Sequence, residues 1–419
     1  MRVAIVASLL PPDAEGGTER VTLTQALGLR ALGHEVLLLG GRPADRTQTV
    51  RDQDGRLITV RLGSDPAEAP DPLGQRPATL QRLLAELRAF RPERILVQNW
   101  WNLHPDLVAR CSSVAPTALA LHDFHGLCPR SFRTPPEADH ACPGAAQYRA
   151  RDLSACARCV APLAGSLSSS RVHALLEQRL GLFERQLAAA SLVLVPSRTH
   201  LVRITDLVPL HGKGRILEPG LCHEFSGAAP APRPWDGRRA LRILHHGRRS
   251  EAKGTLDLVR ALADLPPGAV ELVALGGADE GLDERLRAAA PRLSMELHGA
   301  YDAEALERAA SGAHLAALPS RLPESYSLAV DEALALGLPV WACSADAARE
   351  RHGAEVVREL PRSDPRAWTL ALAEVLDDPR RLEAQRAAVP EDIPLAGAQA
   401  VHLARLLLGD GAGRDRCAS

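Results

Sequence analysis

Short apolar runs alternate with stretches of helical periodicity along the first half of the chain. The apolar runs are typical of buried strands and cover 2–8, 35–41, 94–100, 117–123 and 191–197. Between them, apolar residues recur at helical spacing in 22–34, 78–90 and 172–190. This alternation predicts a parallel sheet with helices on both of its faces.

The same alternation restarts after a segment rich in Pro, Ala and Gly, which we interpret as a linker at 227–237. Strand-like runs then cover 241–247, 270–277, 295–301 and 314–320. We therefore predict two doubly wound α/β domains, at 1–225 and 238–390, followed by a C-terminal helix at 391–408. The last residues, 409–419, are expected to be a disordered tail. In such sheets, ligands bind at the carboxyl ends of the strands.

Composition narrows the class of protein. The chain has 419 residues, 46% of them hydrophobic, and a formal net charge of −1. This length fits two domains of about 200 residues each, and the near-zero charge argues against a nucleic-acid partner. No apolar run reaches the roughly 18 residues of a membrane span, and the N-terminus begins with a strand rather than a signal peptide. We expect a cytoplasmic protein.

One predicted helix leaves open a second interpretation of where in the cell the protein resides. It carries leucines on one side and a set of arginines around them, at positions 76, 82, 88, 91 and 94. A packed helix with a solvated face is the favoured interpretation. The alternative is peripheral contact with the inner membrane face, because a basic amphipathic helix can lie on anionic lipid.

Two glutamates stand in the stretch from Pro323 to Val340. The apolar run before them is strand-like, and helical spacing begins after Glu324, so this residue lies in a strand-to-helix turn and Glu332 lies within the helix. The amides of 325–328 then lie at a helix N-terminus, which attracts phosphate. A phosphate site flanked by two carboxylates suits a sugar nucleotide, although two surface glutamates on an ordinary helix would show the same spacing.

Cations and glycines occur at two other strand-to-helix junctions. Arg248 follows a strand and Lys253 precedes a helix, which is an arrangement that can clamp a phosphate. The neighbouring Arg249 is expected to face solvent. Gly16 and Gly17 follow the first strand, where glycine allows close approach of the backbone to a diphosphate. Solvated loop charges and simple turn glycines are the alternatives.

Histidines end or follow strands of the first domain. His122 stands at the carboxyl end of the run 117–123, where ligands bind in such sheets. His104 follows Trp100 and Trp101 in a loop, and a role of these three on the acceptor side is a weaker hypothesis.

Four of the eight cysteines lie within 32 residues, at positions 128, 142, 156 and 159. A C-x-x-C pair with two further cysteines can supply four thiolates to one metal ion. Zinc is the leading candidate for a structural site, and an iron–sulfur cluster is the alternative. Four free thiols remain a third interpretation, and disulfides are disfavoured in a reducing cytosol.

The stretch PSRLPESYSLAVDEALALGLPV resembles the nucleotide-sugar motif of retaining glycosyltransferases of family 4. The loops GGTE and GRRSEAKG resemble that family's GG-x-E and G-R-x-x-x-x-K-G elements, and Pro196 with Ser197 resembles its P-S pair. HDFHGLCPR resembles a subset of the family that carries spaced cysteines. Ser327 and Tyr326 stand where the family usually has glycine and phenylalanine.

The resemblance implies a GT-B fold, in which two Rossmann-like domains face a cleft. It implies that Arg248 and Lys253 hold the donor diphosphate, that Glu324 and His122 contact the donor sugar, and that Glu332 contacts the ribose. The other implied donor-binding residues are Gly16, Gly17, Ser325, Tyr326, Ser327 and Leu328. We expect no catalytic metal, and we expect the cysteine-rich insertion at 124–165 to shape acceptor choice.

The predicted function is transfer of a hexose-type sugar from a nucleoside diphosphate to an acceptor hydroxyl, with retention of configuration. The acceptor would be a glycan, a lipid or a small molecule, and polysaccharide biosynthesis is the expected setting. Two alternatives stay open. One is another GT-B enzyme such as a sugar-nucleotide epimerase, and the other is a non-catalytic sugar-nucleotide-binding scaffold.

Overall fold

The computed structural model describes residues 1–14, 16–44, 46–63, 73, 75–101, 103–134, 142–163, 165, 167–229, 231–232 and 234–408. The chain forms two compact units. Unit 1 comprises 1–222 together with 395–419, and unit 2 comprises 223–394. The tail predicted at 409–419 lies outside the described residues. No helix in the described ranges is long and apolar enough to cross a membrane.

Unit 1 is built on an eight-stranded sheet. Its strands are β1 (Arg2–Leu9), β2 (Glu35–Arg42), β3 (Gln48–Arg51), β4 (Leu57–Gly63), β5 (Arg94–Val97), β6 (Thr117–Ala120), β7 (Leu192–Val195) and β8 (Gly214–Ile216). Their order is β3-β4-β2-β1-β5-β6-β7-β8, and all neighbours are parallel except β3 and β4. The central strands are buried along nearly their whole length, as both faces of a parallel sheet require.

The helices of unit 1 are α1 (Gly17–Ala31), α2 (Pro77–Phe90), α3 (Leu107–Cys111), α4 (Ala145–Arg149), α5 (Ser154–Val160), α6 (Ser169–Ala189), α7 (Arg198–Thr205) and α15 (Ala396–Leu408). The last of these returns from the end of the chain to pack on α1. A Cβ on Gly28 of α1 would lie 2.4 Å from the Cβ of Ala400. Glycine at position 28 therefore permits this close approach of the two helices.

Unit 2 is built on a six-stranded parallel sheet. Its strands are β9 (Leu241–His246), β10 (Val270–Leu275), β11 (Ser294–His298), β12 (Leu315–Leu318), β13 (Val340–Ala342) and β14 (Val357–Glu359), in the order β11-β10-β9-β12-β13-β14. Its helices are α8 (Thr255–Ala263), α9 (Leu282–Ala289), α10 (Ala303–Ser311), α11 (Leu328–Ala335), α12 (Asp346–His352), α13 (Pro365–Asp377) and α14 (Arg380–Ala387).

The strand order identifies where each sheet opens toward a ligand. In unit 2, the chain runs outward from β9 to β11 and then returns to place β12 on the other side of β9. In unit 1, β2 and β5 flank β1 in the same way. Loops at the carboxyl ends of such strands diverge and leave a crevice, which is the usual binding site of doubly wound sheets.

Candidate active site

The crevice of unit 2 lies between the loop after β9 and the turn after β12. Five of the predicted donor-site residues line one pocket there: Arg248, Lys253, Glu324, Tyr326 and Ser327. The remaining predicted residues of the turn are next to them, because Ser325 lies in the turn and Leu328 is the first residue of α11. The structure thus brings together side chains that lie as far as 79 positions apart in the chain, from 248 to 327.

Close packing of the two loops positions Lys253. The next residue, Gly254, has a φ of 70°, and a Cβ there would lie 2.0 Å from the carbonyl oxygen of Pro319. Only glycine fits this contact and this left-handed conformation. Because the two backbones touch, Lys253 Nζ lies 2.7 Å from Glu324 Oε1.

The charge of Glu324 depends on this lysine. Burial disfavours ionisation, but the Lys253 ammonium and the hydrogen bonds from Lys253 and Ser320 outweigh it, and the pKa of Glu324 lies below its ordinary value. The carboxylate is therefore ionised at neutral pH. An ionised carboxylate accepts hydrogen bonds only, which suits it to sugar hydroxyls.

A buried histidine orders the beginning of α8 beside Lys253. Burial lowers the pKa of His245 to about 4, so the ring is neutral at pH 7. Its Nδ1 lies 2.9 Å from the carbonyl oxygen of Ala317, and its Nε2 lies 3.1 Å from Thr255 Oγ1. A carbonyl can only accept, so Nδ1 donates and Nε2 accepts from the Thr255 hydroxyl. This ring ties the first residue of α8 to strand β12.

The two adjacent arginines after β9 have opposite environments. The Arg248 side chain is 72% exposed at the pocket and pairs with Asp279 at 2.9 Å. The expectation that Arg249 faces solvent is wrong. Arg249 is buried, forms two hydrogen bonds to Asp283 at 2.9 and 2.8 Å, and donates to the carbonyl of Gly276. It is the fork geometry of the guanidinium that satisfies these acceptors at once, so Arg249 holds the loop from inside.

The turn before α11 is held by a buried carboxylate. Asp331 accepts hydrogen bonds from the Tyr326 hydroxyl at 2.6 Å, from Arg351 at 2.7 Å and from His352 at 2.8 Å. The Arg351 guanidinium also lies 3.6 Å from the centre of the Tyr326 ring. Burial opposes ionisation of Asp331, but these partners keep its pKa below the ordinary value. The network fixes the backbone from which the amides of 325–328 project.

Glu332 lies beneath the pocket rather than on its wall. Its side chain is only 2% exposed, and its carboxylate oxygens lie 3.3 Å from His223 Nδ1 and 3.4 Å from His246 Nε2. Of these two histidines, His246 lines the pocket. The predicted contact of Glu332 with a ribose stays a prediction.

A second pocket lies at the carboxyl edge of the sheet in unit 1. It is lined by residues after β5, by residues after β6 and by the first turn of α1, among them Glu19, Gln98, Trp101, His122 and Asp123. Trp101 is 47% exposed, which is unusual for so large an apolar side chain. Burial raises the pKa of Asp123 to about 6, against the opposing effects of the His125 amide and Arg179.

His122 is neutral and oriented in this second pocket. Burial lowers its pKa to about 4, and its Nε2 lies 2.6 Å from Gln98 Oε1. The glutamine amide nitrogen in turn donates to Gln25 Oε1 at 2.5 Å. His104, by contrast, is buried and accepts a hydrogen bond from the Asp106 amide at 3.1 Å, which is a structural contact.

The remaining predicted loop residues of unit 1 lie at helix starts. Gly16 precedes α1 and Gly17 begins it, while the next two residues, Thr18 and Glu19, line the pocket. Ser197 accepts a hydrogen bond from the His200 amide at 3.0 Å and so caps α7. Donor binding by Gly16 and Gly17 stays a prediction.

The four clustered cysteines line one small cavity in unit 1. All four are free thiols. Among the described residues, no group of three or more His, Cys, Asp or Glu side chains is placed to hold a metal ion. Whether the cysteines bind a metal therefore stays a prediction.

Some residues of these sites were not predicted from the sequence. His223 and His246 beside Glu332, and the Asp331 network, are the main examples. The sequence does carry one signal for the first, because His246 occupies a strand position where an apolar residue is expected. Asp331 gives no such signal, since an aspartate in a helix is ordinarily exposed.

Comparison with known proteins supports the sequence interpretation. A family model described as Glycosyltransferase Family 4 matches residues 15–224, half of the chain, and one described as Glycosyl transferases group 1 matches residues 240–378. No curated protein sequence matches the chain.

Solved structures with the same fold cover nearly the whole chain. Sucrose-phosphate synthase from Thermosynechococcus elongatus has a TM-score of 0.71 and 18% identity, over 97% of this chain and 98% of that one. Anabaena HepE in complex with UDP and glucose has a TM-score of 0.61 and 18% identity, over 97% and 99%. WaaG, a glycosyltransferase involved in lipopolysaccharide biosynthesis, has a TM-score of 0.60 and 15% identity, over 97% and 100%.

These likenesses confirm the predicted GT-B class, with two Rossmann-like α/β units. The family models cover both units, and the residues of the matched motifs lie together at the sheet edges. The chain belongs to glycosyltransferase family 4 and is a glycosyltransferase.

Proposed function

We propose that this enzyme transfers a hexose from a uridine diphosphate donor to a saccharide hydroxyl, with retention of anomeric configuration. The observation that supports this proposal most directly is the pocket of unit 2, where two cations, a carboxylate and a helix N-terminus converge. Cations and backbone amides suit a diphosphate, and the carboxylate suits sugar hydroxyls.

Donor binding would exchange the partners of Lys253. In the structure its ammonium pairs with Glu324. A bound diphosphate offers a stronger negative charge, so Lys253 would turn to it together with Arg248, and the carboxylate would be released to accept a sugar hydroxyl. Glu332 would accept a ribose hydroxyl while remaining next to His223 and His246. Ser325 to Leu328 would supply backbone amides to the phosphate.

The same cations would then stabilise the leaving group. Charge develops on the diphosphate as the glycosidic bond breaks, and donors already placed around it lower the barrier without reorganisation. The proton of the acceptor hydroxyl would pass to the leaving phosphate oxygen, which develops negative charge on the same face of the sugar. No step of this mechanism requires a metal ion. His122, which is neutral and oriented by Gln98, would contact the donor sugar.

Uridine diphosphate hexoses are the first donors to test. The Anabaena HepE structure contains UDP and glucose, and this chain has the same fold as HepE.

The pocket of unit 1 supports a saccharide acceptor. An exposed ring, Trp101, lies beside two carboxylates, Glu19 and Asp123, and amide side chains follow β5. Aromatic faces with convergent hydrogen-bonding groups are a chemistry that binds sugars. His125, Pro129 and Ser131 of the cysteine-rich insertion also line this pocket, so the insertion would shape acceptor choice. WaaG is involved in lipopolysaccharide biosynthesis, and a role in glycan or polysaccharide biosynthesis is the corresponding proposal for this chain.

Peripheral contact with an anionic membrane is a separate and weaker part of the proposal. Two exposed arginines, Arg88 of α2 and Arg91 directly after it, would contact lipid headgroups at the cytoplasmic face. Co-sedimentation with anionic vesicles at low salt tests this directly, and failure to sediment would exclude it without affecting the proposed activity.

The enzymatic test is a panel of nucleoside-diphosphate sugars with saccharide acceptors, read by release of the nucleoside diphosphate. We expect turnover that depends on the acceptor, and NMR of the product should show the donor's anomeric configuration. Acceptor-independent conversion of the donor sugar would favour an epimerase. Tight binding of donor without transfer or hydrolysis would favour a scaffold.

A further inference from the structure

The cysteine-rich insertion brings four thiols around one cavity. Cys128 ends a tight turn after β6, with its amide donating to the carbonyl of Phe124 at 2.7 Å. Cys156 and Cys159 lie one turn apart on α5 and therefore on one face of that helix. Cys142 comes from the segment just before α4. Three separate segments thus contribute to the cavity wall.

Three arginines surround this cluster. Arg130 donates to the carbonyl of Cys159 at 3.0 Å, Arg133 donates to the carbonyl of Pro143, and Arg179 donates to the carbonyl of His125. The Arg133 guanidinium also lies over the rings of Phe124 and Tyr148, at 5.8 and 5.5 Å.

The same three guanidinium groups are incompletely satisfied. The Nε atom of each is buried and has no hydrogen-bond partner within the described part of the chain. Among the residues that the structure describes, Asp123 acts on Arg179, and Asp206 lines the surface groove next to Arg133. The three side chains are half-buried and their Nε atoms are shielded from water, so an anionic group among them would be stabilised by their positive charge.

We propose that the four cysteines bind one zinc ion as thiolates and that Arg130, Arg133 and Arg179 balance the charge of the resulting group. Zinc with four thiolates carries a net charge of −2. Binding releases four thiol protons to solvent, and the zinc–sulfur bonds replace the S–H bonds. The three guanidiniums then surround an anion instead of neutral thiols.

The size of the cavity favours a single ion. Its volume is about 20 Å³, which is room for roughly one water-sized particle. An iron–sulfur cluster adds inorganic sulfide and further irons to the same four cysteines and needs more space. The Cys142 Sγ now donates to the carbonyl of Arg133 at 3.1 Å. Deprotonation ends that bond, so this sulfur and its neighbours can converge on the ion.

The zinc would also fix one wall of the acceptor pocket. Cys128 directly precedes Pro129, which lines that pocket with Ser131 and His125. This consequence rests on the proposed acceptor role of unit 1, whereas the metal content of the protein does not.

Elemental analysis of the full chain, purified without metal-chelate chromatography, tests the proposal. We expect one zinc per chain, lost in the Cys156→Ser/Cys159→Ser variant and kept in the control Cys222→Ser, which changes a half-buried cysteine of the same unit. Iron with labile sulfide, or no metal at all in the parent protein, would overturn the proposal. So would full zinc content in the double variant.

A measurement on the unaltered protein covers the case in which the double variant does not fold. Titration of the parent with an organomercurial thiol reagent should release zinc as the clustered thiols react, detected with a metallochromic dye. Zinc that stays bound after all the thiols have reacted would contradict thiolate ligation. If zinc is displaced by cobalt, the visible spectrum should show the bands of tetrahedral sulfur coordination, and an octahedral spectrum would contradict the assigned ligand set.

The role of the arginines has its own test. Arg130→Met should weaken zinc binding in a competition with a chelator. In the Cys156→Ser/Cys159→Ser background, where no anionic group forms, the same substitution should raise the melting temperature. If Arg130→Met changes the melting temperature equally with and without the cysteines, the charge-balance argument is wrong.

Discussion

Lys253 Nζ and Glu324 Oε1 lie 2.7 Å apart in the pocket of unit 2, although they are 71 residues apart in the chain. This ion pair joins the loop after β9 to the turn after β12. The Lys253 side chain is 38% exposed and that of Glu324 is 17% exposed. The pair is thus partly shielded from water and still accessible to a ligand.

The first prediction concerns the pH dependence of this pair. Burial favours the neutral form of Glu324, but Lys253 keeps its folded-state pKa below the ordinary value of 4.5. The pair therefore stabilises the fold above pH 4.5, and this contribution is lost as the pH falls through the folded-state pKa. In Lys253→Ala the buried carboxylate has no cation, so its pKa should rise.

Melting temperatures measured from pH 7 to pH 4 check this prediction. The difference between the parent and Lys253→Ala should be largest near pH 7 and should shrink toward pH 4. Lys213→Ala is the matched control, because it is the other lysine of the chain and it contacts the carbonyls of Leu187 and Ala188 at the end of α6. A difference for Lys253→Ala that stays constant with pH would refute the coupling.

The adjacent arginines should separate function from stability. Arg248→Ala removes an exposed cation of the pocket, so turnover should fall while the melting temperature stays nearly unchanged. Arg249→Ala leaves Asp283 without its buried partner, and the free energy of unfolding should fall by about 3 kcal/mol. Urea denaturation and initial rates on both variants distinguish the two roles. Equal losses of stability would show that the contrast in burial has no consequence.

Ser327 is held in a conformation that favours glycine. Its φ is 70°, and its side chain makes no capping hydrogen bond to α11. Left-handed backbone costs a residue with a Cβ about 1 kcal/mol, so Ser327→Gly should raise the free energy of unfolding by up to that amount. Urea denaturation measures it. Loss of stability in this variant would mean that the serine side chain holds the turn.

Two substitutions in the Asp331 network should lower the stability of the fold by different amounts. Tyr326→Phe removes one hydrogen bond to Asp331 and should cost about 1 kcal/mol. Asp331→Ala leaves Arg351 buried without its carboxylate and should cost about 3 kcal/mol or more. Donor KM should rise in the second variant because the turn that we propose to bind the phosphate loosens. If both variants lose the same stability, Asp331 does not organise the turn.

The sequence was sufficient for the architecture because buried parallel strands and their helices have clear periodicity. Strand β1 and helix α6, for example, are near their predicted positions. It also placed Lys253 and Glu324 in one site, because both lie at junctions that a doubly wound sheet brings together. Burial was harder to predict. Arg248 and Arg249 have the same chemistry and neighbouring positions, and only the three-dimensional packing of Asp283 decides which of them turns inward.

The same limitation applies to the histidines and the insertion. That His246 and His223 lie next to Glu332 depends on how strand β9, helix α11 and the segment after β8 pack together, and these are distant in the chain. The cysteine spacing predicted a cluster, but the three arginines around it come from separate segments, and no periodic signal marks them.

Calorimetric titration of UDP into the full chain tests the central claim most directly, namely that Lys253 and Arg248 hold the donor diphosphate. The account predicts saturable binding to the parent and to Lys213→Ala. Binding should be weakened by roughly ten- to a hundredfold in Lys253→Ala, comparable to the loss of one hydrogen bond between charged groups, and by less in Arg248→Ala. Unchanged UDP affinity in Lys253→Ala, or an equal loss in Lys213→Ala, would contradict it.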